Sequence, residues 1–214
     1  MSGKLLLIGG GGHCRSVLDC VLNAAQYTDI GIIDSKAGTS FPGVPFIGTD
    51  SDIPSLFQKG WTDAFITVGS VGNTAVRRRL YRILKELGFR IPVIIDPSAA
   101  VARGTEIREG VFVGKRAVVN AGVIAEECCI INTGAIIEHD CRIGSFAHVS
   151  PGAVLCGQVT LGKDSHVGAG SVVRQLITIG EHALIGAGSV VVKDIPDHVT
   201  AFGNPCRVKQ GTSA

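Results

Sequence analysis

Ile131-Asn-Thr-Gly-Ala-Ile-Ile137-Glu-His-Asp-Cys-Arg-Ile143-Gly-Ser-Phe-Ala-His-Val149 decides the fold. Every sixth residue is a large aliphatic, and two residues before each stands a small one: Ala135, Cys141, Ala147. The same register runs without a slip from Val101 to Val191. Fifteen of its sixteen positions are Val, Ile or Leu, and Ala125 is the exception. A period of six fits neither a helix, at about 3.6 residues per turn, nor a lone strand, at about 2. It fits a parallel β-helix, in which each hexad makes one short strand and one turn. Val167-Gly-Ala-Gly-Ser-Val-Val recurs eighteen residues on as Ile185-Gly-Ala-Gly-Ser-Val-Val, which supports a triangular coil of three hexads.

Outward from the repeat, composition narrows the class. Twenty-nine glycines and few aromatics suit a solenoid filled with Ile and Val. A net charge of +2 without a dense basic run argues against nucleic acid, since Arg77-Arg78-Arg79 is short and lies in a helical pattern. No segment reaches the roughly 18 apolar residues of a membrane span. Lys4 to Ile8 is too short for a signal peptide, so a cytoplasmic protein is expected. Seven cysteines, with no CxxC layout, read as reduced thiols. Cys129 and Cys141 fall on the small inward hexad positions.

Before the repeat, residues 1–96 read as a small α/β domain, leaving 97–214 for the β-helix and its tail. Lys4–Ile8 is a buried strand that runs into Gly9-Gly-Gly-Gly-His-Cys-Arg and an apolar helix pattern at Val17, Leu18, Val21 and Leu22. Strand, glycine turn and helix open a Rossmann-like unit whose helix N-terminus suits a phosphate. The next strand, Ile30–Ile33, ends in Asp34, placed to meet a ribose hydroxyl. The full dinucleotide fingerprint is not met, because Cys14 stands where a third glycine would sit. Strands are expected at Val44–Ile47 and Asp63–Val68, with a short helix capped at Ser51 or Asp52 and running through Phe57. A helix is expected over Asn73–Leu87, and Ile91–Ile95 reads as the domain's last strand. After Val191 the repeat degrades into a tail, and Gln210–Ala214 is expected to fray.

The chemistry centres on His139, at a variable, outward hexad position and flanked by Glu138 and Asp140. Imidazole is the natural general base at neutral pH, and either carboxylate could fix its tautomer. His139 and His148 are nine residues apart, half a coil, so one subunit does not readily bring them together. His166 lies one coil above His148 and reads as a surface residue. Cys141 points inward, where a thiol is inert.

These features together resemble the hexapeptide-repeat sugar acyltransferases that acetylate nucleotide-linked amino sugars, with their sialic acid O-acetyltransferase relatives. The resemblance rests on the Gly9–His13 turn, Asp34, Gly69 with Asn73 and Arg77, Asn132-Thr-Gly-Ala-Ile-Ile-Glu-His-Asp-Cys, His148-Val-Ser-Pro-Gly-Ala and Gly203-Asn-Pro. It implies a left-handed β-helix and a homotrimer with active sites between subunits. It implies His139 as general base, Asp140 raising its basicity, and His148 near the thioester of acetyl-CoA. The sugar nucleotide, on UDP or GDP, would be held by Gly10, Gly11, Gly12, His13, Asp34, Ser35, Gly69, Asn73 and Arg77. Acetyl-CoA would meet Gly168, Ala169, Gly186 and Ala187, with Asn204 and Pro205 near its adenine end. A backbone N–H around Gly152–Ala153 is expected to steady the oxyanion. The implied pathway is surface glycan biosynthesis, and no metal is expected. Three readings stay open beside N-acetyl transfer: sialic acid O-acetylation, a sugar-nucleotide-binding scaffold or regulator, and a metal site drawn from His139, His148 and His166.

Overall fold

The computed structural model describes residues 3–35, 41 and 43–209. The tail beyond Lys209, expected to fray, lies outside the described residues, as does Pro42.

The N-terminal unit contains β1 (Lys4–Ile8), α1 (Gly12–Ala24), β2 (Asp29–Ile33), β3 (Phe46–Gly48), α2 (Ile53–Gln58), β4 (Asp63–Ile66) and α3 (Ala75–Leu87). Its four strands are parallel in the order β3-β2-β1-β4. The apolar run Leu5–Ile8 becomes the inner strand because both its faces are covered. Gly9 follows it at φ +110, and a Cβ there would lie 2.7 Å from the Val68 side chain. The turn therefore needs glycine for both backbone and space. Thr49 and Asp52 form a capping box ahead of α2, and α3 stops at Gly88 in the left-handed conformation.

From Ile94 onward the chain coils as a parallel β-helix with three faces. Strands pair with a register of eighteen residues, as in Ile124 with Arg142, Ile136 with Val154 and His148 with His166. At the corners, every sixth residue from Gly104 to Gly188 has positive φ, among them Asp140 at 59°, Gln158 at 61° and Leu176 at 64°. The inward aliphatics and small residues form one continuous core along the axis. The buried hydroxyls within it are satisfied: Ser171 Oγ and Ser189 Oγ both donate to Gly186 O, at 3.0 and 2.6 Å.

Two expectations change, and the degraded end of the repeat takes a defined form. The Ile91–Ile95 segment does not end the small sheet. Its strand, Ile94–Ile95, pairs with Phe112–Val113 and forms the first rung of the β-helix. The repeat loses two residues in its last coil, where Leu184 pairs with Thr200, and the end is closed by Thr200–Phe202 against antiparallel Arg207–Val208. That hairpin covers an otherwise open sheet edge. Lastly, His166 is 6% exposed, because the face it stands on is covered by the N-terminal unit.

The covered face carries the outward residues Ile94, Phe112, Ile130, His148, His166 and Leu184. The first three join Leu5, Leu7, Val17 and Leu18 in one apolar cluster that fuses the two units. Polar ties flank it: Tyr81 donates to Glu109 at 2.6 Å, Thr74 and Arg78 both bind the buried Asp164 carboxylate, and Lys115 pairs with Asp19. The second face presents Ala100, Val118, Ile136, Val154, Val172 and Val190 outward, all apolar and none fully buried. The third presents Glu106, Ile124, Arg142, Thr160 and Thr178. Among the described residues no helix is long and apolar enough to cross a membrane.

Candidate active site

Two separate places collect the residues singled out in the sequence. The first is a cleft of about 500 Å³ at the C-terminal ends of β1, β2 and β4. Gly11, Gly12, His13, Asp34, Ser35 and Gly69 line it, together with Asp50, Val76 and Arg79. Gly11 precedes α1 with no side-chain cap, so the first-turn N–H groups open towards the cleft. The Gly10 N–H donates to Asp34 Oδ2 at 2.5 Å, and Ser35 Oγ to Asp34 Oδ1 at 3.1 Å. That locks the acid at the cleft wall. Arg79 and Asp50, which no motif marked, form an ion pair across it at 2.8 Å.

Two members of the sequence set do not join this cleft. Arg77 is 2% exposed and donates to the carbonyls of Phe146, at 3.1 Å, and Cys128. It stitches α3 to the β-helix and is not presented to a ligand. Asn73 accepts from the Ala75 N–H at 3.0 Å and borders a different hollow beside Arg78 and His182.

The second place is the corner between the second and third faces, where Glu138, His139 and Asp140 follow Ile136–Ile137. His139 Nδ1 lies 2.9 Å from Asp140 Oδ2. A carboxylate only accepts, so Nδ1 carries the proton and Nε2 holds a free lone pair. This selects Asp140 over Glu138 as the partner. Both side chains of the pair are 58% exposed. Above them is a pocket of about 430 Å³ bounded by Cys156, Gly157, Gln158, Gln175 and Leu176. These residues were not singled out in the sequence, although Gly157 lies one coil, eighteen residues, beyond His139, and the period alone locates it. Cys141, beside the pair, is 1% exposed, and burial pushes its thiol up to about 11.

His148 stands elsewhere, on the covered face. Its Nδ1–H donates to Ser70 O at 3.0 Å, so Nε2 accepts from Asn132 Nδ2 at 3.1 Å. Burial lowers its pKa to about 3, and the same cause lowers His13 to about 4, with the Arg77 charge contributing to both. His148 packs edge-on against His166, ring centroids 4.9 Å apart. One chain therefore does not unite His139 with His148, and both nitrogens of His148 are taken. Among the described residues no three His, Cys, Asp or Glu side chains converge as a metal site.

The expected glycine contacts sort by geometry. Gly168 is buried, and a Cβ there would lie 2.5 Å from the Ala187 N, so the next coil imposes that glycine. A Cβ on Gly186 would meet that of Phe202 at 2.8 Å. Ala169, Ala187, Asn204 and Pro205 are exposed. The N–H groups of Gly152 and Ala153 bind Thr133 O and Ser150 O, at 2.9 and 3.2 Å. They are spent within the coil and cannot also serve an oxyanion.

Residues 4–84 match the PglD N-terminal domain family, 140–175 the bacterial transferase hexapeptide (six repeats), and 176–196 the hexapeptide repeat of succinyl-transferase. The chain is similar to a histidine-to-asparagine mutant of perosamine N-acetyltransferase from Caulobacter crescentus, solved in complex with CoA and GDP-perosamine. Identity is 34% over 98% of each chain, with a TM-score of 0.92. It is also similar to the acetyltransferase domain of PglB from Neisseria gonorrhoeae in complex with acetyl coenzyme A. There identity is 36% over 98% of this chain and 100% of that one, with a TM-score of 0.90. WeeI from Acinetobacter baumannii, 23% identical over 98% and 100% of the two chains, shares the fold with a TM-score of 0.83. The left hand of the coil follows from these likenesses.

Proposed function

The chain belongs to the hexapeptide-repeat acetyltransferases of nucleotide-linked amino sugars, those that carry a PglD-type N-terminal domain, and on that premise we propose that it moves the acetyl group of acetyl-CoA onto the amine of a nucleotide-linked 4-amino-4,6-dideoxy sugar. The observation that carries this reading is the exposed His139–Asp140 pair, its free Nε2 beside a pocket of about 430 Å³. A pocket of that size takes a slender chain such as pantetheine. The cleft above β1 takes the nucleotide: the N-terminus of α1 faces the diphosphate, and Asp34 the ribose.

Acetyl-CoA supplies an activated acetyl group. As the sugar amine attacks the acetyl carbonyl, a C–N bond forms and the C–S bond breaks. His139 Nε2 takes the amine proton and returns it to the departing thiolate, which leaves as CoA, while Asp140 steadies the Nδ1–H side of the ring. No covalent enzyme intermediate is required, since orienting two substrates supplies much of the rate.

The site is completed by assembly. The cleft lies on the unit covering the first face, whereas His139 stands at the opposite corner, beside the apolar second face. Three copies packed through their second faces would bury those aliphatics and set the cleft of one subunit beside His139 of the next.

The test is thiol release from acetyl-CoA with a panel of UDP- and GDP-linked 4-amino sugars and free sialic acid, with His139→Ala alongside. Release with one amino sugar, abolished in His139→Ala, is the expected result. Release with sialic acid alone overturns N-acetylation, and a fully active His139→Ala overturns the base assignment.

A further inference from the structure

We infer that Gly122 and Gly157 are positioning residues for the transfer: two positions without a Cβ, one coil below and one coil above, between which the Asp140 carboxylate and the His139 ring are held. The inference rests on the reading of His139 as base. Gly122 is eighteen residues before Asp140 and Gly157 eighteen after His139, so each glycine stacks directly on one member of the pair. A Cβ on Gly157 would lie 2.5 Å from His139 Nε2, 2.7 Å from Cε1 and 3.2 Å from Cδ2. All three contacts are with one ring, on the edge that carries the free lone pair. A Cβ on Gly122 would collide with Asp140 Oδ1, leaving the next nearest atom, Cγ, at 3.4 Å.

Coil stacking does not demand glycine at these two positions. At Gly144, Gly162 and Gly168 an added Cβ would strike the backbone of the next coil at 2.5 Å, and backbone cannot move aside. At Gly122 and Gly157 the close atoms are the tips of side chains, which can swing away at little cost to the fold. Gly122 has φ +73, but Arg116, Cys128 and Phe146 occupy the same corner conformation elsewhere in the coil. Gly157 has no positive φ at all. The side chains that would yield are the two that carry the chemistry. Absence of a Cβ therefore protects the geometry of the pair and keeps space open beside Nε2.

Gly104 provides the control. It sits one coil below Gly122 in the same corner column, at φ +79, and a Cβ there meets nothing within 4 Å. Gly104→Ala thus reproduces the backbone strain of Gly122→Ala without the collision. Steady-state kinetics and melting curves on Gly157→Ala, Gly122→Ala and Gly104→Ala, with the acceptor found in the panel, test the inference. For Gly157→Ala we expect kcat to fall about 100-fold, the scale of a misplaced catalytic group, with both KM values and Tm held. Gly122→Ala should melt with Gly104→Ala yet lose about tenfold more kcat. In an Asp140→Gly background, Gly122→Ala should cost nothing further, because the group it displaces is gone. The crystal structure of Gly157→Ala should show the imidazole moved off its original position. A ring left in place, an unchanged kcat in Gly157→Ala, or full additivity of Gly122→Ala with Asp140→Gly would each overturn it. The two readings fail differently: active glycine variants beside a dead His139→Ala remove the positioning roles alone, whereas an active His139→Ala removes the base and the positioning together.

Discussion

His139 stands at an exposed corner, and the base role proposed for it rests on a single acceptor, Asp140, at 2.9 Å. Asp140 sits in the left-handed conformation, which aspartate and asparagine tolerate better than most residues. Asp140→Asn therefore keeps the turn and removes the charge behind the ring. We expect kcat to drop about tenfold with little change in KM, against about 10²- to 10⁴-fold for His139→Ala. Cys141→Ala should stay active, because its thiol is buried and donates to Cys156 O at 3.2 Å. A nucleophilic role for Cys141 would be established by the opposite result. Arg77 is a different kind of residue. Buried and bound to the carbonyls of Cys128 and Phe146, it cannot be removed without stranding those acceptors. Arg77→Ala should cost about 3 kcal/mol or more in urea unfolding. A loss confined to substrate KM, with stability intact, would restore it as a ligand of the sugar nucleotide.

Each hexad contributes an inward residue to the core and an outward one to a face, and the two carry different information. The inward period was legible in the sequence because the interior imposes one constraint sixteen times, from Val101 to Val191. The His139 corner was legible because three chemically unusual residues interrupt an outward position. The outward faces were not read, since their pattern emerges only when residues are sorted eighteen apart. Ile94–Ile95 shows a related limit: an apolar strand reads alike whichever sheet it joins. His166 differs for the same reason, as an outward residue counts as surface only until another unit covers it, and Arg77, expected to hold the sugar nucleotide, is buried under that covering. The second face carries the element's own prediction. Ile136 and Val154 are adjacent rungs of its apolar ladder and pair directly. Charge there does not touch the core beneath, because the inward Ile137 and Leu155 are separate side chains. Ile136→Glu/Val154→Glu should fold with near-native circular dichroism, elute as a monomer on size exclusion, and lose activity. A variant that still runs as an oligomer would remove this face from the interface.

The two units share one apolar cluster, and the seam around it also buries ionisable side chains, which has a consequence for pH. His13 on α1 and His148 and His166 on the covered face all meet there, with Arg77 of α3 contributing repulsion. Burial lowers all three histidines, His13 to about 4 and His148 to about 3. In the unfolded chain each returns to a value near 6.5. Below that value the unfolded state binds more protons than the folded one, so stability falls as pH falls. Above about pH 7.5 the histidines are neutral in both states and exert no slope. His13 and His148 each contribute about 1.4 kcal/mol per pH unit in the window between their unfolded and folded values, or about 2 kcal/mol by pH 5, and His166 adds in the same direction. Urea unfolding at pH 7.5 and pH 5 should therefore differ by several kcal/mol, with the urea midpoint falling on acidification. Because one cluster spans both units, the loss should appear as a single transition for the whole chain. His166→Phe should shrink the difference, since Phe cannot take up a proton in either state. A midpoint unchanged between the two pH values would mean that the seam admits water and protons, and that the units dock more loosely than the shared core of Leu5, Val17, Phe112 and Ile130 implies.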